Sequence, residues 1–184
     1  VLCFAAAQAR QDGDNPEALA GLLERQLPLL AERLKTTLDK LQRPGGPGGR
    51  QIAAAAWWEA LRQRYHEADI RWEQGPLDGT LPADLFDSVA ENLLQNALAK
   101  RQRETNLQLV VAFAGGASPR LTVADTGAAL APELAVALFQ SPVPSEDGLG
   151  IGLYHAARQA ESEGYLLRLE RNEAGHVLFS LSAR

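Results

Sequence analysis

Three short blocks in the second half of the chain do most to limit its fold. The first is the segment 91–97, in which Asn92 and Asn96 are one helical turn apart. The second is the segment 123–127, an apolar run that ends in Asp125, Thr126 and Gly127. The third is the glycine-rich segment 148–153. A helix, a strand end and a glycine-rich loop in this order predict a mixed α and β domain.

Each of the first two blocks carries groups that suit a nucleotide, and each has an ordinary alternative. The Asn92 and Asn96 amides project from one helix face, and an amide oxygen is a suitable ligand for Mg²⁺. Asp125 can accept a hydrogen bond from the exocyclic amine of a purine, and Gly127 permits a close backbone approach. The alternatives are plain polar helix positions and an ordinary turn at the end of a strand.

The third block predicts a loop at the start of a helix, where free backbone N–H groups can bind phosphate. The spacing of Gly148, Gly150 and Gly152 differs from the dinucleotide fingerprint, and no Gly-Lys-Ser/Thr follows as in a P-loop. A flexible loop that caps a helix is the alternative for this block.

Hydrophobic periodicity predicts the remaining elements of the second half. We expect helices at 52–65, 82–101 and 149–163 and strands at 68–73, 107–114, 121–124, 165–170 and 176–181. Helices and strands mix without a regular βαβ alternation, which favours an α+β sandwich over a doubly wound sheet.

The first quarter of the chain has a different pattern. Asn15-Pro16-Glu17 is typical of a helix start. Leucines then recur at spacings of three and four, at Leu23, Leu27, Leu30, Leu34, Leu38 and Leu41. This stripe suits a helical bundle, and Pro44–Gly49 follows as a linker. We therefore expect a helical hairpin over 1–43, a linker at 44–50 and a separate domain over 51–184.

Composition excludes several classes of function. The net charge of −5 disfavours binding to nucleic acid. The chain has one cysteine, Cys3, which excludes an internal disulfide framework and suits a reducing cytosol. No apolar run approaches the roughly 20 residues that span a bilayer. We expect a cytoplasmic segment without membrane contact, possessing no convincing signal peptide and belonging to a longer protein.

In their order and spacing, the three blocks resemble the N, G1 and G2 boxes of the GHKL ATPases. The chain most resembles the catalytic domain of bacterial sensor histidine kinases, over about residues 50–184. Phe139-Gln140-Ser141-Pro142 resembles the F box, which opens a mobile lid, here about Ser141 to Asp147. The resemblance implies a two-layer α/β sandwich with a mixed sheet and helices on one face. It also implies that residues 1–43 are part of a dimerisation and phosphotransfer hairpin, which forms a four-helix bundle in a homodimer.

The resemblance assigns roles to individual residues. It implies that Asn96 coordinates Mg²⁺, that Asn92 supports the phosphates or the metal, and that Asp125 binds the adenine amine of ATP beside Gly127. The phosphate and lid contacts that it implies come from Gly148, Leu149, Gly150, Ile151, Gly152 and Leu153.

Two positions depart from the family pattern. Ala129 stands where the family usually has a second glycine, and its methyl group is expected to tighten the adenine pocket or alter the lid. Ala99 stands where a basic residue is usual, and Lys100 follows one place later. Lys100 is turned by about 100 degrees around the helix. It is assigned as a phosphate ligand, with a solvated basic patch as the alternative.

The chain has three histidines, and we expect none of them to accept phosphate. His66 is predicted at the edge of a strand, His155 inside a helix and His176 at the start of the last strand. The resemblance implies a phosphoacceptor histidine upstream of Val1. Hydrolytic GHKL members have a general base, Glu, where this chain has Asn92, so we expect slow ATPase activity.

These expectations combine into one function and two rivals. The first is the ATP-binding core of a protein-histidine kinase, which passes the γ-phosphoryl group to a histidine and then to a response regulator. The second is a degenerate GHKL module or pseudokinase that acts through partner binding. The third is a scaffold that dimerises through residues 16–41 without binding nucleotide.

Overall fold

The computed structural model describes residues 50–104, 106–141 and 152–184. The predicted hairpin at 1–43, the linker up to residue 49 and the segment 142–151 lie outside the described residues. The glycine-rich block is therefore described only from Gly152 onward.

The secondary structure of the described residues alternates irregularly between helix and strand. In chain order the elements are β1 (Gln51–Ala53), α1 (Ala54–Arg64), β2 (Arg71–Gln74), β3 (Thr80–Pro82), α2 (Ala83–Arg103), β4 (Leu109–Ala114), β5 (Arg120–Asp125), α3 (Pro132–Ala137), α4 (Gly152–Ser162), β6 (Tyr165–Glu173) and β7 (His176–Ala183).

One five-stranded mixed sheet organises the domain, with the strand order β2-β4-β5-β7-β6. Strands β2 and β4 are parallel, and the other neighbouring pairs are antiparallel. A separate two-stranded ribbon pairs β1 with β3. The ribbon leads directly into α2, so it fixes the start of the helix that carries the asparagines.

The helices cover one face of the sheet. Along β4, Leu109, Val111 and Phe113 are buried, whereas the residues between them are half-buried. This alternation arises because successive side chains on a strand point to opposite faces. Trp57 of α1 and Phe86 of α2 contact Phe113, with ring centroids 5.0 and 6.2 Å away. The predicted α+β sandwich with helices on one face of a mixed sheet is confirmed.

Several predicted boundaries were wrong, mostly where elements are very short. Ile52 and Ala53 belong to β1 rather than to a helix, because their backbones pair with Leu81 and Thr80 of β3. The strand predicted from residue 68 begins at Arg71. His66 accordingly lies in the turn after α1, where its ring Nδ1 is 2.8 Å from the carbonyl oxygen of Gln63.

The sequence patterns did not predict β3 or α3. By contrast, His155 lies inside α4 and His176 begins β7, as predicted. In the parts of the chain that the structure describes, no helix has the length and apolar character needed to cross a membrane.

Candidate nucleotide-binding site

Helix α2 carries most of the predicted site. Its buried side is a stripe that includes Leu85, Val89 and Leu93, which anchors the helix on the sheet. Asp84 lies in the first turn, and Lys100 is among the basic residues of the last turn, an arrangement that complements the helix dipole. The polar residues of the site follow the edge of this buried stripe.

Two of the predicted residues meet where α2 passes the start of α4. The Asn92 side chain is half-buried, and its amide nitrogen donates a hydrogen bond to the Ser88 carbonyl oxygen at 2.7 Å. A Cβ atom at Gly152 would overlap Asn92 Oδ1. A side chain at residue 152 would therefore push the Asn92 amide out of its position beside the start of α4. Asn96, one turn further along α2, is exposed.

A second cluster forms around the end of β5. Asp125 is the buried carboxylate there, with 7% of its surface exposed. Its Oδ1 accepts a hydrogen bond from the Gly127 backbone N–H at 2.9 Å. The φ angle of Gly127 is not positive, so a turn conformation is not what requires glycine. A Cβ atom there would lie 2.5 Å from Glu104 Oε2 and from Lys100 Cε, and 2.7 Å from Leu107 Cδ1.

The structure places the Lys100 ammonium at this carboxylate. Lys100 Nζ donates to Asp125 Oδ1 at 2.6 Å and to the Ala128 carbonyl oxygen at 2.7 Å. The side chains of the pair are 20% and 8% exposed, so both charges are largely removed from water. Lys100 therefore lies in the pocket predicted for the base and not in a solvated basic patch.

The two clusters lie at different heights along α2. Eight residues separate Asn92 from Lys100, which corresponds to about 12 Å along a helix. Asn96 lies between them. The cluster at Gly152 and the cluster at Asp125 therefore lie along the same helix, about 12 Å apart. One extended ligand could contact both clusters.

No protein-family model and no curated protein matches the chain. Solved structures of histidine kinases match it at low identity. The nucleotide-free catalytic domain of ThkA has a TM-score of 0.60 and 21% identity, over 73% of this chain and 95% of that domain. The described residues have the histidine-kinase catalytic fold.

Two further matches are to longer chains. ThkA in complex with the response regulator protein TrrA gives a TM-score of 0.65 at 20% identity, over 100% of this chain and 57% of that chain. Full-length ShkA in complex with AMPPNP gives 0.53 at 20% identity, over 71% of this chain and 29% of that chain. At these identities the likeness establishes the fold.

Within this histidine-kinase fold, sequence reasoning missed the residues that hold the segment after Asp125. Glu104 accepts a hydrogen bond from the Ala128 N–H at 2.9 Å. Asn172 binds both the N–H and the carbonyl of Leu130, at 2.7 and 2.9 Å. The Gly175 N–H donates to the Gly127 carbonyl at 2.9 Å. In the sequence, Asn172 and Gly175 indicated only a hairpin turn.

The other predicted site positions are placed less informatively. Leu153 is buried with 8% exposure, so its side chain belongs to the α4 core contact. Ala129 is exposed, which favours a small effect of its methyl group on the space at Asp125. The expectation that this methyl group tightens the adenine pocket or alters the lid stays a prediction. Phe139 packs against Phe179, with ring centroids 6.5 Å apart. Four residues, Gly148, Leu149, Gly150 and Ile151, lie outside the described residues, and their roles stay predictions.

Proposed function

We propose that this chain is the ATP-binding core of a protein-histidine kinase. The observation that carries the proposal is the buried carboxylate of Asp125, which lies at the end of a central strand of a histidine-kinase fold. A purine exocyclic amine is a donor, and a buried carboxylate is a strong acceptor for it. In ShkA, the same fold was solved in complex with AMPPNP, an ATP analogue.

The described residues suit a magnesium nucleotide better than a metal held by protein alone. In the part of the chain that the structure describes, no group of three His, Cys, Asp or Glu side chains could hold a metal ion. Mg²⁺ commonly takes one or two protein oxygens, with phosphate oxygens and water as its other ligands. The exposed Asn96 amide is available as such a ligand. Bound Mg²⁺ would neutralise phosphate charge during phosphoryl transfer.

Phosphoryl transfer depends mainly on positioning and charge neutralisation, and the residues around Asn92 fit that requirement. An amide cannot take a proton from water at neutral pH, so Asn92 cannot act as a general base for hydrolysis. Its nitrogen is also committed to the Ser88 carbonyl. We therefore propose that the γ-phosphoryl group is kept for a histidine and then passed to a response regulator. ThkA was solved in complex with such a regulator, TrrA.

The acceptor histidine is proposed to lie outside this chain, on a homodimeric hairpin. His66, in the turn after α1, is 60% exposed in its side chain and lies beside Glu67 at 3.8 Å. His155 and His176 are also exposed. None of the three is on a helical hairpin within the described residues.

The first experiment is calorimetric titration of the chain with AMPPNP in the presence and absence of Mg²⁺. We expect Mg²⁺-dependent binding that weakens at least about tenfold in Asp125→Ala, since a charge-assisted hydrogen bond contributes about 1.5–3 kcal/mol. Asn96→Ala should lose the Mg²⁺ dependence. Gln95→Ala is the matched control, because Gln95 is the exposed neighbour of Asn96 on α2. Unchanged binding in both site variants would contradict the assignment.

A degenerate GHKL module is the second candidate, and the pairing of Asp125 with Lys100 favours it. A carboxylate that already holds an internal cation is a weaker acceptor for a base. The two candidates separate when the chain is mixed with a phosphoacceptor hairpin and labelled ATP. Acid-labile phosphohistidine on the hairpin supports the kinase, whereas nucleotide binding without transfer supports the degenerate module.

A further inference from the structure

The Asp125 carboxylate at the end of β5 already has two hydrogen-bond donors. Asp125 Oδ1 accepts hydrogen bonds from the Gly127 N–H at 2.9 Å and from Lys100 Nζ at 2.6 Å. The exocyclic amine of adenine would donate to this same carboxylate. Lys100 and the base would therefore bind the same carboxylate, where the ammonium places a full positive charge beside the donor amine.

Lys100 also covers the backbone beside the carboxylate. Its Cε would lie 2.5 Å from a Cβ atom at Gly127, so the lysine stem fills the space that the missing side chain leaves. Its ammonium is held a second time by the Ala128 carbonyl oxygen at 2.7 Å. The same side chain thus occupies both the acceptor and the backbone surface that the sequence assigns to the base.

We propose that Lys100 is an internal competitor of the adenine base, so that adenine nucleotides bind only when its ammonium leaves Asp125. The inference rests on the proposed ATP-binding function. Glu104, the residue directly after α2, offers the displaced ammonium a new partner, because its Oε2 lies 2.5 Å from the same Cβ position as Lys100 Cε. Movement of Lys100 toward Glu104 keeps the cation paired while Asp125 is released.

If Lys100 competes with the base, removal of its ammonium should tighten nucleotide binding, whereas removal of a phosphate ligand should weaken it. Lys100→Met keeps the length of the side chain and removes the ammonium. We expect it to bind AMPPNP and AMP about tenfold more tightly than the wild type, a gain of about 1.4 kcal/mol for each. Arg62→Met on α1 is the control, because it removes an exposed cation whose partner among the described residues is Glu59, and it should change neither affinity.

A purine nucleotide without the exocyclic amine tests whether the carboxylate is the point of competition. Inosine triphosphate cannot donate from that position, so Lys100→Met should not tighten its binding. An equal gain for inosine triphosphate and ATP would overturn the proposal. Weaker AMPPNP binding with unchanged AMP binding would also overturn it, because that pattern identifies Lys100 as a phosphate ligand.

A measurement on the wild-type chain tests the proposal even if Lys100→Met does not fold. The chain has three lysines, Lys35, Lys40 and Lys100. With ¹⁵N-labelled lysine, the Lys100 ammonium signal, assigned with Lys100→Arg, should be protected from solvent exchange without nucleotide and change when AMPPNP saturates the chain. An ammonium signal that is unchanged at saturation refutes the competition.

The failure of this proposal can be told apart from failure of the proposed function. If the wild type and Lys100→Met bind AMPPNP equally, the function stands and the competition is refuted. If neither chain binds any of the nucleotides, both proposals are refuted. If only Lys100→Met binds AMPPNP and AMP, the competition is supported and the wild-type chain is not an ATP-binding core.

Discussion

Gly127→Ala is the sharpest structural test of the Asp125 cluster. The added Cβ atom would lie 2.5 Å from Glu104 Oε2 and Lys100 Cε, and 2.7 Å from Leu107 Cδ1. The first two atoms belong to flexible side chains that can move. Leu107 is 6% exposed and lies in the core, so it has little room to retreat. The substitution therefore costs free energy through packing and not through a forbidden φ angle.

The magnitude follows from the contacts that must change. Overpacking in a tightly packed site costs about 1–3 kcal/mol. If Glu104 moves away, the Ala128 N–H loses its acceptor, which costs about 1–3 kcal/mol more. We expect the free energy of unfolding to fall by about 2–4 kcal/mol, which shifts the urea midpoint by roughly 1–2 M.

Tryptophan fluorescence in urea reports this change directly. All three tryptophans, Trp57, Trp58 and Trp72, lie within the described domain, so the signal follows its unfolding. A double-mutant cycle then locates the strain. Glu104→Ala removes one of the overlapping atoms, so the cost of Gly127→Ala should be about 1 kcal/mol smaller in that background.

Glu59→Ala is the control background, because Glu59 is an exposed acid on α1. The cost of Gly127→Ala there should match the wild-type value within about 0.5 kcal/mol. If Gly127→Ala costs less than about 0.5 kcal/mol, or adds independently to Glu104→Ala, the proposed close approach of α2 is wrong.

Four further outcomes are expected. Gly152→Ala should weaken AMPPNP binding by about tenfold in a titration, because its Cβ atom displaces the Asn92 amide. Trp57→Ala should lower the free energy of unfolding in urea by about 3–5 kcal/mol, since the indole is 1% exposed. Ala129→Gly should change AMPPNP affinity less than about twofold, because Ala129 is exposed. Burial, followed by the charge of Glu91, raises the pKa of Tyr65. The contribution of this tyrosine to the free energy of unfolding is present below pH about 10 and is lost as the pH rises through the raised pKa. Tyr65→Phe should therefore flatten the fall in the free energy of unfolding at alkaline pH.

Hydrophobic periodicity predicted the long helices and strands, because an element that buries one face has apolar residues at regular spacings. The stripe of Leu85, Val89 and Leu93 gave α2 nearly its full length, and alternation gave β4 and β5 within two residues. The ribbon of β1 and β3 has three-residue strands, too short to show a period. Leu81 of β3 is fully buried. Its burial comes from tertiary contacts, which the local sequence pattern does not predict.

The site was predictable only where a residue's role is local. Asp125 and Gly127 were singled out because a carboxylate and a glycine stand together at the end of a predicted strand and match a family motif, and their assigned roles stay predictions. The contacts of Lys100 depend on where its turn of α2 meets the end of β5. Lys100 lies one residue after the position where the family usually has a basic residue, which turns it by about 100 degrees around α2. The predicted role as a phosphate ligand therefore did not include its contact with Asp125.

The Lys100–Asp125 pair links the stability of the chain to its proposed ligand. A carboxylate as buried as Asp125 needs a partner, and Lys100 supplies one when no base is present. The contact that stabilises the fold is therefore the contact that opposes adenine. Lys100→Met should lower the free energy of unfolding and at the same time tighten AMP binding. A structural lysine would give only the first change, and a phosphate ligand would weaken AMPPNP and leave AMP unaltered. Opposite signs in the two measurements are thus specific to competition for one carboxylate.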